Sequence, residues 1–426
     1  MPCRTRFAAL AAVLALCVSA CATSARAPSA TVGDPTAATA ARNAPTPLLL
    51  VSIDGFRADY LDRGYAPHLA RWAAEGVRAQ WMTPSYPSLT FPNHYTMVTG
   101  LRPDRHGIVH NTMWDDELGG FALSRREAVG NAAWWQGEPI WVGAEKAGLR
   151  TATMFWPGSE APIQGVRPGR WQPYDAAVTN EARVDTVLGW LSEPATTRPH
   201  LATLYFDRLD KAGHDHGPDS PEAREALRDI DAALGRLREG LADRGLLDRV
   251  NVVVVSDHGM APLPPSQLLD AESMVGPDDA RLVASGESVG FEPLPGRRDA
   301  AEAQLLGRHR HYECWRKQAL PARWYYGRHP RVPSIVCQMD EGWAAQPRAL
   351  AVKRRQMGTR GAHGFDPALP SMRAVFVARG PAFARGRVLR PVDNVDVYPL
   401  LARLLGIPPA HHEGRADTFN AVLVTE

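Results

Sequence analysis

The chain has 426 residues, of which 45% are hydrophobic and 22% are charged, and its formal net charge is +2. This length and apolar content allow the large buried core of an α/β domain. The near-neutral charge argues against a protein that binds nucleic-acid duplexes through their phosphates. The sequence shows no periodic repeat and no coiled-coil heptads.

The first 21 residues are typical of a bacterial export signal. Arg4 and Arg6 precede an apolar run over 7–18, which is too short to span a membrane as a helix. The following Val18-Ser19-Ala20-Cys21 resembles a lipobox with Cys21 as the lipidated residue, and the alternative is plain signal-peptidase cleavage nearby. Either route predicts a periplasmic protein, anchored to the outer membrane if Cys21 is lipidated. Residues 22–46, rich in Ala, Thr and Pro, are predicted to form a flexible tether.

Five apolar runs predict the main strands of a domain that extends over 47–426. Helical patterns separate these runs, as in Pro221 to Arg244 and Asp396 to Leu405. This alternation predicts an α/β fold with a doubly wound, mostly parallel sheet, whose ligands bind at the carboxyl ends of the strands. The predicted strands lie near 47–53, 149–155, 200–206, 250–255 and 373–379.

Acidic residues and histidines accompany several of these strands. Asp54 ends the first run before Gly55, which permits a sharp turn, and Asp257-His258 follows the fourth run. The third run leads into Asp207–Gly217, and His363 precedes the fifth run. Any one of these segments could be an N-cap Asp or a surface His. Together they supply three carboxylates and three histidines, which predicts a site for two cations such as Zn²⁺.

The segment Thr83–Gly100 runs from a Pro-rich loop into a predicted helix. Thr90 lies near the N-terminus of that helix, with Pro92 in its first turn, so backbone N–H groups and the helix dipole would stabilise a deprotonated hydroxyl. A dication bound to this oxygen would lower its pKa further and make it a nucleophile. The alternative from this segment alone is an ordinary threonine N-cap.

About a hundred residues between His258 and His363 contain no strong buried-strand run. Because this stretch is far longer than a normal loop, residues 262–358 are predicted to be an inserted subdomain that packs on the core. It contains Cys314 and Cys337, the two cysteines outside the leader. In an oxidising compartment we expect a disulfide between them, worth ~3 kcal/mol in the chain-entropy model, with two free buried thiols as the alternative.

Six separated motifs carry a resemblance to a known family. They are Ile53-Asp54-Gly55, Pro87–Tyr95, Gly107–Asn111, Asp207–Gly217, Ser256–Met260 and Gly361–Phe365. In this order they resemble the nucleotide pyrophosphatase/phosphodiesterase family of the alkaline phosphatase superfamily, most of all its bacterial members. The resemblance covers about 48–407 and implies an alkaline-phosphatase-like fold with a long insertion before the last metal ligand.

The resemblance also implies roles for the matched residues. One Zn²⁺ would be bound by Asp210, His214 and His363. The other would be bound by Asp54, Asp257, His258 and the hydroxyl oxygen of Thr90. The Asn111 amide and the backbone N–H of Thr90 would hold a non-bridging phosphoryl oxygen. Four nearby residues are left out of the ligand set, the histidines as surface residues or neighbours of the ligands: Asp215, His216, His94 and His110.

Apolar residues next to the nucleophile imply the substrate. Phe91 directly follows Thr90, Tyr174 and Tyr205 match family positions that sandwich a nucleobase, and Leu123 would add an apolar wall. Stacking tolerates any base, so such a slot favours nucleoside 5′-monophosphoryl groups without selecting among them. The alternative is that the tyrosines are ordinary core residues.

The sequence therefore predicts an exported phosphodiesterase with two Zn²⁺ per chain. It would hydrolyse small nucleotide diesters and pyrophosphates to nucleoside 5′-monophosphates through a covalent intermediate on Thr90, without binding a specific nucleic-acid duplex. Two enzymatic alternatives use the same fold, a phosphomonoesterase and a lipid-headgroup phosphodiesterase. A non-catalytic periplasmic protein that binds nucleotides or metals would require the loss of a ligand or of the nucleophile, and neither is missing from the sequence.

Overall fold

The computed structural model describes residues 45–424. The predicted signal segment 1–21, the lipidation site Cys21 and all but the last two residues of the tether 22–46 lie outside the described residues. Within 45–424, no helix combines the length and the apolar character that a membrane crossing requires.

The strands are short, and most have three to six residues. They are β1 (Leu48–Ile53), β2 (Val77–Ala79), β3 (Met82–Thr83), β4 (Thr112–Asp115), β5 (Gly119–Ala122), β6 (Thr151–Met154), β7 (Leu201–Phe206), β8 (Asn251–Val255), β9 (Ala261–Leu263), β10 (Leu268–Asp270), β11 (Ala280–Ala284), β12 (Ser288–Pro293), β13 (Gly307–Arg308), β14 (Tyr312–Arg316), β15 (Ile335–Met339), β16 (Ala344–Gln346), β17 (Arg360–Ala362), β18 (Phe376–Arg379), β19 (Arg387–Leu389) and β20 (Val392–Asp393).

The α-helices of the described residues are α1 (Pro67–Glu75), α2 (Thr90–Thr99), α3 (Pro103–His106), α4 (Arg126–Val129), α5 (Ile140–Lys146), α6 (Asn180–Leu191), α7 (Arg208–His216), α8 (Pro221–Asp243), α9 (Arg298–Leu305), α10 (Arg348–Arg355) and α11 (Val397–Leu405). Short 3₁₀ helices span Ala58–Asp62, Ala132–Trp134, Pro265–Gln267, Ala271–Ser273, Lys317–Ala319, Ala322–Trp324, Pro370–Met372, Asn394–Asp396 and Asn420–Val422.

A seven-stranded sheet organises the domain, in the order β19-β2-β18-β8-β1-β7-β6. Strands β8, β1, β7 and β6 are mutually parallel, and β18 runs antiparallel to β8 and β2. The five predicted strands are confirmed as the neighbours β18, β8, β1, β7 and β6. The two remaining strands, β2 and β19, are not among the predictions, because runs of three residues give too little periodicity to identify a strand.

Helices cover both faces of this sheet, which confirms the doubly wound, mostly parallel α/β prediction. All six residues of β1 are buried, and successive side chains enter different cores. Leu48 and Leu50 pack with residues of α2, α5 and α11, whereas Leu49 and Val51 pack with residues of α1, α6 and α8.

The two predicted helices are found with small changes at their ends. The helix expected over Pro221 to Arg244 is α8, which ends at Asp243, and the one expected from Asp396 is α11, which begins at Val397. Ser220 caps α8, since its side-chain oxygen accepts a hydrogen bond from the N–H of Ala223 at 3.0 Å. Pro221 then occupies the first helical position, where its missing N–H has no cost.

The stretch between β9 and β17 contains a second sheet, with five antiparallel strands in the order β11-β12-β15-β14-β13. All of β15 is buried, but the polar residues around it in the sequence obscure its apolar pattern. Strands β9 and β17 pair with each other at the two ends of this stretch. Cys314 and Cys337 lie opposite each other on β14 and β15 and form the expected disulfide.

Candidate active site

The candidate ligands converge because three of their strands are parallel neighbours. Asp54 directly follows β1, Asp257 and His258 follow β8, and β7 leads into α7. The carboxyl ends of adjacent parallel strands meet at one edge of the sheet, where ligands of such folds bind. Gly55 has φ +71°, and a Cβ on it would stand 3.1 Å from the Asp210 backbone, so the turn after β1 requires glycine.

One group of ligands consists of Asp210, His214 and His363. The first two lie four residues apart on α7, which places both side chains on the same face of the helix. The Nε2 atoms of His214 and His363 each lie 3.6 Å from Asp210 Oδ1. The three potential ligand atoms lie within 4.8 Å of one another, a spacing that suits one bound cation.

The second group lies directly beside the first. His258 Nε2 is 2.9 Å from Asp257 Oδ2 and 3.6 Å from Asp54 Oδ1. Ligand atoms of Asp54, His258 and Asp210 also lie within 4.8 Å of one another, so Asp210 links the two groups. The structure thus brings together all six side chains that the sequence predicts as metal ligands.

The three histidines of these groups are oriented for metal binding. Each directs Nδ1 to a backbone carbonyl oxygen: His214 to Gly361 at 2.9 Å, His258 to Gly259 at 2.8 Å and His363 to Ser88 at 2.9 Å. A histidine that donates from Nδ1 presents the lone pair of Nε2 to the site. Burial and the neighbouring His258 and His214 hold the pKa of His363 well below its usual range, which keeps this ring in the neutral form that binds metal.

The carboxylates also present free oxygens. Among the described residues, Asp54 Oδ1, Asp210 Oδ1 and Asp257 Oδ2 are buried without a hydrogen-bond partner. Burial and the neighbouring charges of Asp257 and Asp210 raise the pKa of Asp54 well above its usual range. Clustered buried carboxylates are costly unless cations neutralise them. The donor set of imidazole nitrogen and carboxylate oxygen therefore fits divalent metal ions.

Three of the four residues left out of the predicted ligand set are buried or paired with other side chains. His94 is buried rather than on the surface, and although it lies near Asp257, its Nδ1 and Nε2 are hydrogen-bonded to Thr90 O and Ser52 Oγ at 2.9 and 2.8 Å. His110 is also buried, and burial lowers its pKa to about 4. The Asp215 carboxylate pairs with Lys211 and Arg360.

Thr90 is the first residue of α2, and Leu89 occupies the N-cap position. The alternative that Thr90 is an N-cap is therefore wrong, and its hydroxyl is available for another role. Its Oγ1 lies 3.2 Å from His258 Nε2, at the second group of ligands. The position gives this oxygen the positive end of the helix dipole as a neighbour.

A cavity of about 200 Å³ opens from Thr90. Asp54 and Asp210 line it beside the ligand groups, and all four predicted apolar slot residues contribute to its wall: Phe91, Leu123, Tyr174 and Tyr205. The rings of Tyr174 and Tyr205 meet edge to face with centroids 6.0 Å apart. Leu123 is 38% exposed and lies at the rim.

Some wall residues were not predicted. Arg126 and Glu160 form an ion pair there, and Phe155 and Trp156 follow strand β6 directly. The run Phe155-Trp156-Pro157 at a strand end was a usable signal, because ligands bind at such ends. Nothing local in the sequence indicates the pairing of Arg126 with Glu160, since 34 residues separate them.

A family profile described as "Type I phosphodiesterase / nucleotide pyrophosphatase" matches residues 48–366. The chain belongs to this family. Its relatives are named pyrophosphatase/phosphodiesterases, and the chain is a hydrolase of this family.

Similar proteins occur in eukaryotes. An uncharacterized pyrophosphatase/phosphodiesterase of Schizosaccharomyces pombe is 35% identical over 382 residues, which are 86% of this chain and 78% of the yeast protein. Bovine ectonucleotide pyrophosphatase/phosphodiesterase family member 3 is 36% identical over 391 residues, or 88% of this chain. The match covers 44% of the bovine protein, so this chain spans less than half of that relative.

Solved structures of the family share the fold. Human ectonucleotide pyrophosphatase/phosphodiesterase 5 superposes with a TM-score of 0.84 at 32% identity, covering 89% of this chain and 100% of the human chain. The inactive murine protein 5 in complex with AMP superposes with a TM-score of 0.83 at 32% identity and the same coverage. These matches confirm the predicted alkaline-phosphatase-like α/β fold.

Proposed function

We propose that this protein is a two-zinc phosphodiesterase that converts nucleotide diesters and pyrophosphates to nucleoside 5′-monophosphates through a covalent intermediate on Thr90. One observation carries the proposal. The Thr90 hydroxyl lies beside His258, in one of two adjoining groups of metal-ligand side chains, and Thr90 also lines the aromatic cavity. This reaction needs a nucleophile, cations that activate it and an apolar slot for the nucleobase.

Two Zn²⁺ ions would be held by the side chains already described. Asp210, His214 and His363 would bind one, and Asp54, Asp257, His258 and Thr90 would bind the other. When bound, the metals lower the pKa of a coordinated hydroxyl or water and neutralise charge on the leaving oxygen.

The side chains of the chain perform the rest of the reaction. Thr90 Oγ1 attacks phosphorus in line, and the bond to the leaving oxygen breaks on the opposite side. The Asn111 amide group donates to a phosphoryl oxygen that gains charge in the transition state. Water then attacks the threonyl phosphodiester and releases the nucleoside 5′-monophosphate. The two inversions give net retention at phosphorus.

The slot would select the group that remains on phosphorus. Aromatic rings of Phe91, Tyr174 and Tyr205 can stack on any nucleobase. The murine structural relative with bound AMP supports this assignment. A phosphomonoesterase would instead need additional positive charge for a dianion, and Arg126 in the cavity wall is paired with Glu160.

Incubation with a nucleoside 5′-triphosphate tests the site of cleavage. We expect nucleoside 5′-monophosphate and pyrophosphate in equal amounts, measured by anion-exchange chromatography. Inorganic phosphate and a nucleoside diphosphate as first products would favour the phosphomonoesterase alternative.

We also propose that the protein is exported and reaches the periplasm with a lipid on Cys21. The disulfide between Cys314 and Cys337 agrees with an oxidising compartment. In a Gram-negative host, the wild-type protein should fractionate with the outer membrane and Cys21→Ala should be soluble in the periplasm. Equal distribution of both proteins between the fractions would contradict the lipid anchor.

A further inference from the structure

The two tyrosines of the slot donate their hydroxyl groups to carboxylates. Tyr205 donates to Asp54 Oδ2 at 2.6 Å, and Tyr174 donates to Asp207 Oδ2 at 2.7 Å. Stacking on a nucleobase needs only the rings of these residues. The hydroxyl groups therefore have a separate structural role, which phenylalanine would not provide.

The bond from Tyr205 divides the functions of the two Asp54 oxygens. Oδ2 accepts the phenolic proton, and Oδ1, which has no partner within residues 45–424, lies 3.6 Å from His258 Nε2. A carboxylate rotates about its Cβ–Cγ bond, and a strong hydrogen bond to one oxygen holds that rotation. Tyr205 thus fixes the direction in which Asp54 offers Oδ1 to a cation. Hydrogen bonds of this kind orient metal ligands and strengthen metal binding.

Tyr174 acts at a greater distance, through the residue that precedes α7. Asp207 accepts from Tyr174 on Oδ2 and from Arg183 Nη1 on Oδ1 at 2.7 Å. Arg183 is itself buried, and its Nη1 also donates to the Tyr205 carbonyl oxygen at 2.8 Å. Asp207 is therefore held from two sides at the start of the helix that carries Asp210 and His214.

We propose that Tyr205 and Tyr174 are positioning residues for the metal centre, Tyr205 through Asp54 and Tyr174 through Asp207 and the first turn of α7. The inference rests on the proposed function, because it assumes that Asp54 and Asp210 bind metal. It adds that the tyrosines of the slot also help to hold the metal centre in position. Removal of a tyrosine hydroxyl then weakens metal binding while the aromatic ring continues to stack on the base.

Zinc affinity of the metal-free protein tests the proposal, measured by competition with a fluorescent zinc chelator. Tyr205→Phe should weaken the affinity of one of the two zinc sites by about 10–100-fold. Tyr174→Phe should cause a smaller loss of several-fold, because its hydroxyl contacts no ligand. Tyr398→Phe is the matched control, since its hydroxyl accepts from the Ala410 N–H and is not hydrogen-bonded to a metal-ligand side chain.

Kinetics at saturating zinc separate positioning from a general loss of structure. KM for a nucleotide diester should rise less in either Phe variant than in Tyr174→Ala, because phenylalanine keeps the ring that stacks on the base. Zinc affinity unchanged in both Phe variants, or reduced equally in Tyr398→Phe, would overturn the inference. If the wild type binds two zinc ions and hydrolyses nucleotide diesters while Tyr205→Phe binds zinc normally, only the positioning role is wrong. A wild type that binds no zinc would overturn the proposed function as well.

Discussion

The side-chain oxygen of Asn111 accepts a hydrogen bond from the backbone N–H of Phe91, the residue after Thr90, at 3.0 Å. This bond fixes the amide plane, and the NH₂ group has no hydrogen-bond partner among residues 45–424. A donor held in this way can stabilise charge on a phosphoryl oxygen without reorganising during the reaction.

Asn111→Ala should therefore lower kcat by roughly 10–10³-fold with a small effect on KM. Asn111→Asp is the control that keeps the acceptor for Phe91 but replaces the donor with a negative charge, and it should lose at least as much activity. Steady-state kinetics on a nucleotide diester measure both variants. An unchanged turnover number in Asn111→Ala would remove this residue from the site.

Thr90→Ala should reduce the rate by at least ~10³-fold, because the hydroxyl oxygen forms the bond to phosphorus. Thr90→Ser should keep substantial activity. Since Leu89 and not Thr90 occupies the N-cap position, the Ala variant should fold with nearly wild-type stability. Denaturation of a quenched reaction, followed by peptide mapping, should locate phosphorus on Thr90, and phosphorus on any other residue would refute the assignment.

About two zinc ions per chain should be found by elemental analysis, and chelation should abolish activity until zinc is restored. Asp210 and Asp215 provide a matched pair on one helix. Asp210→Asn should lose about one zinc ion, because Asp210 is one of the three side chains proposed to bind that ion. Asp215→Asn should keep its zinc, because Asp215 is paired with Lys211 and Arg360. Full activity after exhaustive metal removal would contradict the two-metal mechanism.

Acid should destabilise the fold through buried histidines such as His106. Its ring hydrogen-bonds Thr96 Oγ1 and the Pro92 carbonyl oxygen at 3.0 and 3.1 Å, and burial lowers its pKa to about 3. The unfolded chain binds a proton at this residue below about pH 6.5, whereas the folded chain does not. The contribution of neutral His106 to the free energy of unfolding is therefore complete above that pH. It falls as the pH drops, by ~2 kcal/mol at about pH 5.

His106→Gln should be less stable than the wild type at neutral pH, because it loses native packing. Its unfolding free energy should fall less between about pH 7.5 and pH 5, by ~2 kcal/mol, in urea titrations at each pH. The exposed His411 provides the control, and His411→Gln should retain the wild-type pH dependence. A His106→Gln variant that loses as much stability in acid as the wild type would contradict this explanation.

The position of the candidate metal ligands can be predicted from the sequence, because it follows from local patterns. Asp54, Asp257 and His258 each follow an apolar run, and parallel neighbouring strands bring such ends together. The same rule predicts that the segment after β7 lies at this edge of the sheet. That segment forms α7, which carries Asp210 and His214. Their roles as ligands were implied by the family resemblance and stay predictions for the experiments above.

The remaining features depend on contacts between distant residues. The hydrogen bond from Tyr205 to Asp54 joins residues that are 151 positions apart in the sequence. No local pattern around either residue predicts it. The sheet of the inserted stretch was missed because its strands are short and interrupted by polar residues and turns, which weakens the period of two. Apolar periodicity predicts which residues are buried. It does not predict which distant residues the folded chain brings into contact.

The selectivity between diesters and monoesters tests the central claim most directly. We would compare kcat/KM for the p-nitrophenyl ester of a nucleoside 5′-monophosphate with that for p-nitrophenyl phosphate, with zinc quantified in the same preparation. The aromatic slot should contribute ~1–3 kcal/mol per stacking contact to the first substrate, and the second lacks a group that can stack. We predict that the diester is favoured by several orders of magnitude with about two zinc ions bound. Hydrolysis of the monoester as fast as the diester by the zinc-loaded protein would contradict the account.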